Sequence, residues 1–303
     1  MPPVVKTVPL EAGTRLADRY LLQKQLGQGS MAEVWQAKDQ KIGRPVAIKV
    51  VAELLAMSDQ ARRRFANEVQ AIGRIHHPNV VALFGHGRAE DGRPFLVMER
   101  VSGQTLQTYI DGRPPLSPHS AVRLASEILN GLAAAHAQAI IHRDLKPANI
   151  MLALMPNGKR QVKILDFGVA RVIDAGLDPQ DRLTKTGTML GSPRYMSLEV
   201  ARGSPEVDAR ADVFALGAVT YHTLTGHAPF EGTAMGQIIR RIIDHDFKPL
   251  AEERPDLCAE LVAVLNKAMA HQPGDRYSSA QGMLDDLISV DLGPYRPSRP
   301  QQS

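Results

Sequence analysis

Two short runs that carry acids and an amide most constrain how this chain can fold. The first, Ile141–Asn149, reads I-H-R-D-L-K-P-A-N, and the second, Leu165–Gly168, reads L-D-F-G. Asp144 and Asn149 are five residues apart, and Asp166 follows after a short apolar run. Together these three side chains can orient a hydroxyl group and hold a divalent metal ion, as phosphoryl transfer requires. An isolated Asp is usually only a solvated surface group, and an isolated D-F-G is a weak signal. Whether the two runs indicate phosphoryl transfer therefore depends on the motifs that precede them.

A glycine-rich stretch lies near the start of the chain. A strand pattern from Tyr20 leads into G-Q-G-S-M-A-E-V-W, which runs from Gly27 to Trp35. Glycine has no Cβ, so such a loop lets the backbone lie close to phosphate groups, although a G-x-G alone is often just a hairpin turn. A strand pattern and not a helix follows, which argues against a dinucleotide-binding Rossmann unit.

A lysine and a glutamate occupy unusual places in the next two patterns. Val46–Val51 reads V-A-I-K-V-V and predicts a strand in which Ala47 and Lys49 share one face. Glu68 falls within the apolar stripe of the following helix pattern, where a carboxylate needs a partner. Lys49 is the natural partner. The alternatives are a lysine on an exposed edge strand and a glutamate that reaches water at the edge of its stripe.

An acid also enters the most apolar helix pattern of the chain. Ala211–Thr225 is apolar nearly all round and predicts a central buried helix. Asp212 near its start is expected to accept hydrogen bonds from the backbone around His142 and Arg143. A solvated first-turn acid, favoured by the helix dipole, is the alternative.

The patterns also divide the chain. Strands dominate the first third, Met98–Gly103 leaves the sheet at a glycine as a plausible hinge, and helices dominate the rest. These patterns predict a flexible extension over 1–19, a domain over 20–288 and a disordered tail over 289–303. Within the domain, the first lobe covers 20–98, the hinge 99–103 and the second lobe 104–288.

Composition excludes several functional classes. The 303 residues are 44% hydrophobic and 22% charged, as in ordinary soluble globular proteins. The net charge of +4 comes without a long Lys/Arg run and with 5% aromatic residues, so we expect no nucleic-acid partner. Cys258 is the only cysteine, which excludes an internal disulfide and fits a reducing compartment. We see neither a signal peptide nor a membrane-spanning apolar stretch, and expect a cytoplasmic location.

These motifs, in this order, resemble the protein kinase family from about Tyr20 to Leu287, and within it the bacterial eukaryotic-like (Hanks-type) Ser/Thr protein kinases. Further matching runs are G-S-P-R-Y-M-S-L-E and P-G-D-R-Y. The resemblance implies an α+β, two-lobed fold, with a small antiparallel β-rich N-lobe that carries one helix and a larger, mostly helical C-lobe. It implies transfer of the ATP γ-phosphoryl group to Ser/Thr hydroxyls of proteins, with autophosphorylation. A pseudokinase that only binds partners and a small-molecule kinase are the alternatives.

The resemblance also implies roles for individual residues. Asp144 would orient the substrate hydroxyl, Lys146 would contact the γ-phosphate, and Lys49 would hold the α- and β-phosphates and pair with Glu68. Asn149 and Asp166 would bind Mg²⁺, with Mn²⁺ as a substitute. The ATP-binding residues would be Leu26, Gly27, Gln28, Gly29, Ser30, Val34, Ala47, Lys49, Met98, Glu99, Val101 and Met151, with Glu99 and Val101 offering backbone hydrogen bonds.

Regulation and structural support follow from the same resemblance. Arg143, directly before Asp144, is typical of members switched on by phosphorylation, and the expected phosphosites are Thr184, Thr186 and Thr188. Arg276 would pair with Glu199, and a homodimer is possible. Three positions depart from the family pattern: Ala32, Ser192 and Leu198 replace a glycine, a threonine and a proline. None of them removes a catalytic group.

Overall fold

The division of the chain into two compact units falls between Ser102 and Gly103. The structure, a computed structural model, describes residues 9–29, 32–51, 59–167 and 193–294. The first unit contains the described residues up to 102, and the second contains 103–167 and 193–294. The change of unit therefore lies inside the segment 99–103 that was predicted as a hinge.

The first unit is an antiparallel sheet of six strands with one helix. The strand order is β1-β2-β3-β4-β6-β5. The strands are β1 (Arg15–Leu16), β2 (Tyr20–Gln28), β3 (Ala32–Asp39), β4 (Pro45–Val51), β5 (Leu83–Arg88) and β6 (Pro94–Glu99), and the helix is α1 (Asp59–Ile72).

Alternating side chains give this sheet one apolar face. In β4, Val46, Ile48 and Val50 are almost fully buried and join one core cluster, whereas Lys49 between them is half-buried. Side chains two residues apart in a strand point to the same face, so Ala47 and Lys49 lie on the face opposite this cluster. The remaining members of the cluster are Leu16, Tyr20, Leu22, Trp35, Ala37, Ala89, Phe95 and Val97.

Two segments of the first unit differ from the sequence-based expectation. Residues 9–19 were predicted to be part of a flexible extension, but β1 pairs with β2 and Leu16 is only 1% exposed. The Gly13 N–H also donates to the Leu22 carbonyl at 2.9 Å. The apolar run that begins at Val80 favours an earlier strand start, whereas β5 begins at Leu83, because main-chain pairing with β6 and not local apolarity decides where this strand begins.

The second unit is mostly helical. Its α-helices are α2 (Leu106–Ile110), α3 (Pro118–His136), α4 (Leu198–Ala201), α5 (Ala209–Thr225), α6 (Met235–Asp244), α7 (Leu250–Glu253), α8 (Ala259–Ala268) and α9 (Ala280–Ser289). A three-stranded antiparallel sheet contains β7 (Gly103–Thr105), β8 (Ile150–Leu154) and β9 (Arg160–Ile164) in that order. The predicted α+β class is confirmed.

The two longest helices of this unit carry recognisable end signals in their sequences, although α5 begins at Ala209, two residues before the apolar pattern that predicted it. Ser117 caps α3, since its side chain accepts a hydrogen bond from the Ser120 N–H, and Pro118 occupies the first turn. Buried residues surround α5 on all sides, as its apolar pattern predicts. Gly226 ends α5 with φ of +89°, a left-handed conformation that costs glycine little.

The segment after α9 remains attached to the unit as far as it is described. The tail was predicted to be disordered from residue 289, but the ring Nε2 of His119 lies 3.0 Å from the Gly293 carbonyl oxygen. This contact fastens the segment to the first turn of α3. Among the described residues, no helix is both long enough and apolar enough to cross a membrane.

Candidate active site

The acid run of the second unit forms a hydrogen-bonded cluster around Asp144. The Lys146 Nζ lies 2.7 Å from the Asp144 Oδ2. The Asn149 Nδ2, in a 3-10 turn at Pro147–Asn149, donates to the same oxygen at 3.1 Å and to the Asp144 carbonyl at 2.8 Å. No described residue makes a hydrogen bond to the Asp144 Oδ1. With its side chain 30% exposed, Asp144 can offer that oxygen to an incoming hydroxyl.

The backbone just before Asp144 is fixed by a fully buried carboxylate. Asp212 accepts hydrogen bonds from the His142 N–H at 2.8 Å and from the Arg143 N–H at 2.9 Å, the first of its two predicted alternatives. These bonds hold Arg143 at φ of +67°, which is strained for a residue with a Cβ. Burial of the Asp212 carboxylate costs free energy, but its hydrogen bonds fix the backbone that carries Asp144.

His136 is a third donor to Asp212 that the sequence did not predict. Its Nε2 lies 2.8 Å from the Asp212 Oδ2, and it is located in the last turn of α3. A single histidine at a helix end carries no sequence signal of its own. Only the packing of α3 against α5 brings the two side chains together.

His142 connects the acid run to the second motif. Its Nε2 lies 2.7 Å from the Leu165 carbonyl oxygen, and its Nδ1 lies 3.2 Å from the Asp144 N–H. A neutral ring with the proton on Nε2 satisfies both contacts. The Leu165 N–H donates to the Asn149 carbonyl at 2.8 Å, and the Phe167 ring meets the His142 ring edge-on at 4.9 Å. The fold therefore joins the two predicted runs directly.

Asn149 and Asp166 have donor groups that suit a hard divalent cation. Because the Asn149 Nδ2 points into Asp144, its Oδ1 faces elsewhere as an acceptor. Asp166 is half-buried at φ of +57° and has an interaction partner. Among the described residues, no three His, Cys, Asp or Glu side chains converge to hold a metal. This donor set fits Mg²⁺, which combines one or two protein carboxylates with substrate phosphates and water.

Four of the predicted ATP-binding residues share one face of the sheet of the first unit. Lys49 is paired with Val34 on one side and with Leu96 on the other. Ala47 is paired with Met98. Cross-strand partners point to the same face, so all five side chains lie opposite the core cluster. Leu96 was not predicted, because its position is visible only from the strand register.

The glycine-rich loop joins β2 to β3. The Gly29 N–H donates to the Ala32 carbonyl at 2.9 Å. A Cβ at Gly27 would meet no atom of the described residues within 4 Å, so packing against them does not require glycine there. Leu26 and Gln28 are exposed on the same strand, whereas Ser30 lies outside the described residues.

The end of β6 uses several of its backbone groups internally. The Glu99 N–H donates to the Ala82 carbonyl at 2.8 Å, and the Glu99 carboxylate accepts from the Ala82 N–H at 3.3 Å. The Val101 carbonyl accepts from the Arg100 guanidinium. The predicted backbone contacts of Glu99 and Val101 with a ligand stay a prediction.

The other predicted site residues divide by unit. Lys49 and Glu68, both half-buried in the first unit, each have an interaction partner, and their mutual pairing stays a prediction. Met151 is half-buried in β8 of the second unit. The predicted phosphosites Thr184, Thr186 and Thr188 lie outside the described residues, as does Ser192.

Arg276 and Glu199 form the predicted ion pair. The guanidinium Nη1 and Nη2 contact the two carboxylate oxygens at 2.7 and 3.1 Å, and the Arg276 side chain is fully buried. Burial is the largest single influence and by itself would raise the pKa of Glu199. The hydrogen bonds that its carboxylate accepts and the positive charge of Arg276 together hold that pKa below its ordinary value. Leu198 is buried at the start of α4 directly before this glutamate.

Comparisons with known proteins agree with this geometry. The sequence matches the protein kinase domain family over residues 20–288. It is 40% identical over 90% of its length to a probable serine/threonine-protein kinase of Corynebacterium efficiens. It is 38% identical over 92% to the serine/threonine-protein kinase PknB of Mycobacterium tuberculosis. The chain spans only 41% and 44% of those two proteins.

A solved structure shows the same fold. The PknI kinase domain of Mycobacterium tuberculosis matches with a TM-score of 0.72 and 25% identity, covering 92% of this chain and 99% of that one. The family match covers most of the chain, and the acid run, its companion motif and the strand-borne lysine stand in the family order. The chain therefore belongs to the protein kinase family.

Proposed function

We propose that this chain is the catalytic domain of a serine/threonine protein kinase, which transfers the γ-phosphoryl group of ATP to Ser/Thr hydroxyls of proteins. The observation that carries the proposal is the cluster of Asp144, Lys146 and Asn149, joined through His142 to the run that contains Asp166. Curated relatives that share 35–40% identity with the chain are named serine/threonine-protein kinases.

The second unit supplies the groups that act on the hydroxyl. The Asp144 carboxylate orients the substrate hydroxyl and accepts its proton as the oxygen attacks phosphorus. Lys146 places a positive charge 2.7 Å from that carboxylate, where it can also contact the transferred phosphoryl group. Asn149 and Asp166 would hold Mg²⁺, which offsets the charge of the phosphate oxygens when it is bound.

The first unit supplies the groups that bind the nucleotide. The shared face of Val34, Ala47 and Met98 is apolar and suits the adenine ring, and the Lys49 ammonium lies on the same face for the phosphates. The Glu99 carbonyl and the Val101 N–H would complete the recognition of adenine. The space around Gly27, which no described residue fills, is consistent with a backbone that closes over phosphate groups.

Autophosphorylation is the regulatory part of the proposal. A phosphate on Thr184, Thr186 or Thr188 adds a charge of about −1.5 to −2, which an arginine such as Arg143 can bind. The pseudokinase alternative is weaker, because it does not explain why Asp144, Asn149 and Asp166 are all present.

Phosphotransfer tests the catalytic assignment directly. Wild type, Asp166→Asn, Lys49→Met and the control Asp244→Asn are incubated with radiolabelled ATP, Mg²⁺ and a generic Ser/Thr substrate protein. We expect Asp166→Asn and Lys49→Met to lose at least about 100-fold in rate, since each removes a group that stabilises charge in the transition state. Asp244, which is exposed on α6, should tolerate the same Asp→Asn change.

Residual activity decides the outcome. Near-normal labelling by Asp166→Asn or Lys49→Met would refute their assigned roles. Inactivity of the wild type despite measurable ATP binding would favour the pseudokinase reading. Mass-spectrometric mapping then asks whether label appears on Thr184, Thr186 or Thr188, and a Thr184→Ala, Thr186→Ala double variant with unchanged activity would refute the regulatory part.

A further inference from the structure

A pocket in the second unit contains none of the proposed catalytic residues. It lies between α2, the first half of α3 and the β8–β9 hairpin, and its cavity volume is about 90 Å³. Its apolar floor is made by Leu106, Leu124 and Leu152, which are all buried. Arg123 and Arg160 are exposed at its rim. The pocket therefore combines an apolar interior with a positively charged entrance.

Three arginines at this entrance lack a carboxylate partner among the described residues. The Arg113 and Arg160 guanidiniums lie over the Tyr109 ring, at 4.7 and 4.9 Å from its centroid, and Arg123 projects from α3. Seven other arginines of the described chain do pair with an acid. Those that do are Arg19, Arg93, Arg210, Arg240, Arg241, Arg254 and Arg276.

The single acid among the lining residues is already engaged. The Glu127 Oε2 accepts a hydrogen bond from the Val162 N–H at 2.9 Å, which turns this carboxylate toward the edge of β9. Neutralising both Arg123 and Arg160 would require at least one acid besides Glu127. The charge at the entrance is thus complementary to an acidic ligand.

The size of the cavity selects the kind of ligand. Small-molecule sites usually enclose about 300–1,000 Å³. A cavity of about 90 Å³ is far below that range, but it can take one aliphatic side chain. Peptide-binding surfaces work in this way, with one buried apolar anchor and charged contacts around it.

From this combination we propose that the pocket docks an extended segment of a partner protein in which a leucine-sized side chain is flanked by acidic residues. The apolar side chain enters the pocket between α2 and β8, and the flanking carboxylates bind Arg123 and Arg160. Docking requires neither ATP nor catalysis, so the proposal stands independently of the phosphotransfer reaction.

Fluorescence anisotropy with three labelled peptides tests the proposal on the whole chain. The probes are Glu-Glu-Leu-Glu-Glu, the same peptide with Gly in place of Leu, and Lys-Lys-Leu-Lys-Lys. None of them has a hydroxyl that a kinase could phosphorylate. We expect the acidic leucine peptide to bind best, and its affinity to fall as salt screens the arginines.

Two variants separate the pocket from the overall charge of the protein. Arg123→Glu with Arg160→Glu should weaken binding of the acidic leucine peptide at least about tenfold, through lost attraction and new repulsion. Arg202→Glu with Arg240→Glu makes the same change in net charge at exposed sites elsewhere, and should change affinity less than about twofold. Ser120→Phe keeps the arginines but fills the cavity, so it should abolish the preference for Leu over Gly.

Each contrary result overturns the proposal. The site is refuted if the acidic leucine peptide shows no saturable binding up to about 1 mM. Equal weakening by both double variants would mean that only bulk charge matters, and equal binding of the lysine peptide would remove the charge argument. If Arg123→Glu with Arg160→Glu instead changes the sedimentation of the protein alone, the surface binds a second copy of the chain and not a partner peptide.

Discussion

Replacing Arg276 with alanine should destabilise the second unit more than any change to a surface ion pair. Besides the two bonds to Glu199, the Arg276 guanidinium donates to the carbonyls of Ala270 at 2.7 Å, His271 at 2.8 Å and Arg210 at 3.3 Å. The alanine variant loses all these donors at once. It also leaves the Glu199 carboxylate, whose side chain is only 12% exposed, without its counter-charge.

The expected cost follows from this burial. Removing one partner of a buried ion pair typically costs about 3–5 kcal/mol, because the remaining charge stays desolvated. That is a large part of the ~5–15 kcal/mol by which domains are stable. The matched control is Arg240→Ala in the Arg240–Asp244 pair, whose side chains are 85% and 56% exposed. That change should cost no more than about 0.5 kcal/mol.

Urea denaturation followed by far-UV circular dichroism is the appropriate assay. The helices that give this signal belong mainly to the second unit. Tryptophan fluorescence would be misleading, since Trp35, the only tryptophan, lies in the core of the first unit. A loss below about 1 kcal/mol for Arg276→Ala, close to that of Arg240→Ala, would refute the idea that this pair holds the unit together.

Acidification provides an independent check of the same pair. The Glu199 pKa is held below its ordinary value of 4.5, so the folded protein keeps this carboxylate ionised to lower pH than the unfolded chain does. The stabilisation by this pair is therefore complete above the pKa that Glu199 has in the unfolded chain. It is lost as the pH falls through the lower pKa that Glu199 has in the folded protein. The difference in stability between wild type and Arg276→Ala should be constant near neutral pH and shrink below pH 4.5. A difference that grows with acid would contradict this sign.

Two further predictions concern the helices that support the acid run. In α5, a Cβ at Gly217 would lie 2.6 Å from the Met269 Cγ, so Gly217→Ala should cost about 1–3 kcal/mol in the urea assay. Gly236→Ala in α6 meets nothing within 4 Å and should be neutral or stabilising by up to about 1 kcal/mol; equal effects at both glycines would contradict the packing argument. His136→Leu removes a donor to the Asp212 carboxylate and should cost about 1.5–3 kcal/mol. Because the backbone before Asp144 loosens, the kcat of the His136→Leu variant should fall while its KM for ATP stays constant. An unchanged kcat would show that His136 does not position that backbone.

Local spacing predicted much of the site. The five-residue interval between Asp144 and Asn149 is short enough for one turn to bring them together, and strand alternation placed Ala47 and Lys49 on one face. The start of α3 follows from Ser117 and Pro118, whose capping chemistry is local. Features that depend on a few consecutive residues can be inferred without knowledge of the fold.

Features that depend on distant residues could not be predicted in this way. The sequence of β5, L-F-G-H-G-R, contains two glycines and does not alternate apolar with polar residues. The ring of Phe95 covers Gly87 so closely that a Cβ there would clash with it. His136 acquires a role only when α3 meets α5. The arginine-rimmed pocket likewise requires α2, α3 and the β8–β9 hairpin to converge.

The hydrogen bond from Val162 to Glu127 also affects how readily the three-stranded sheet can aggregate with other molecules. β9 is the last strand of its sheet, and an open edge with unpaired N–H groups can recruit strands from other molecules and start aggregation. Glu127 occupies one of these donors and places a carboxylate against the edge. The opposite edge, β7, has only three residues, too few to template an intermolecular strand. The same side chain that shapes the pocket thus protects the sheet from growing beyond one molecule.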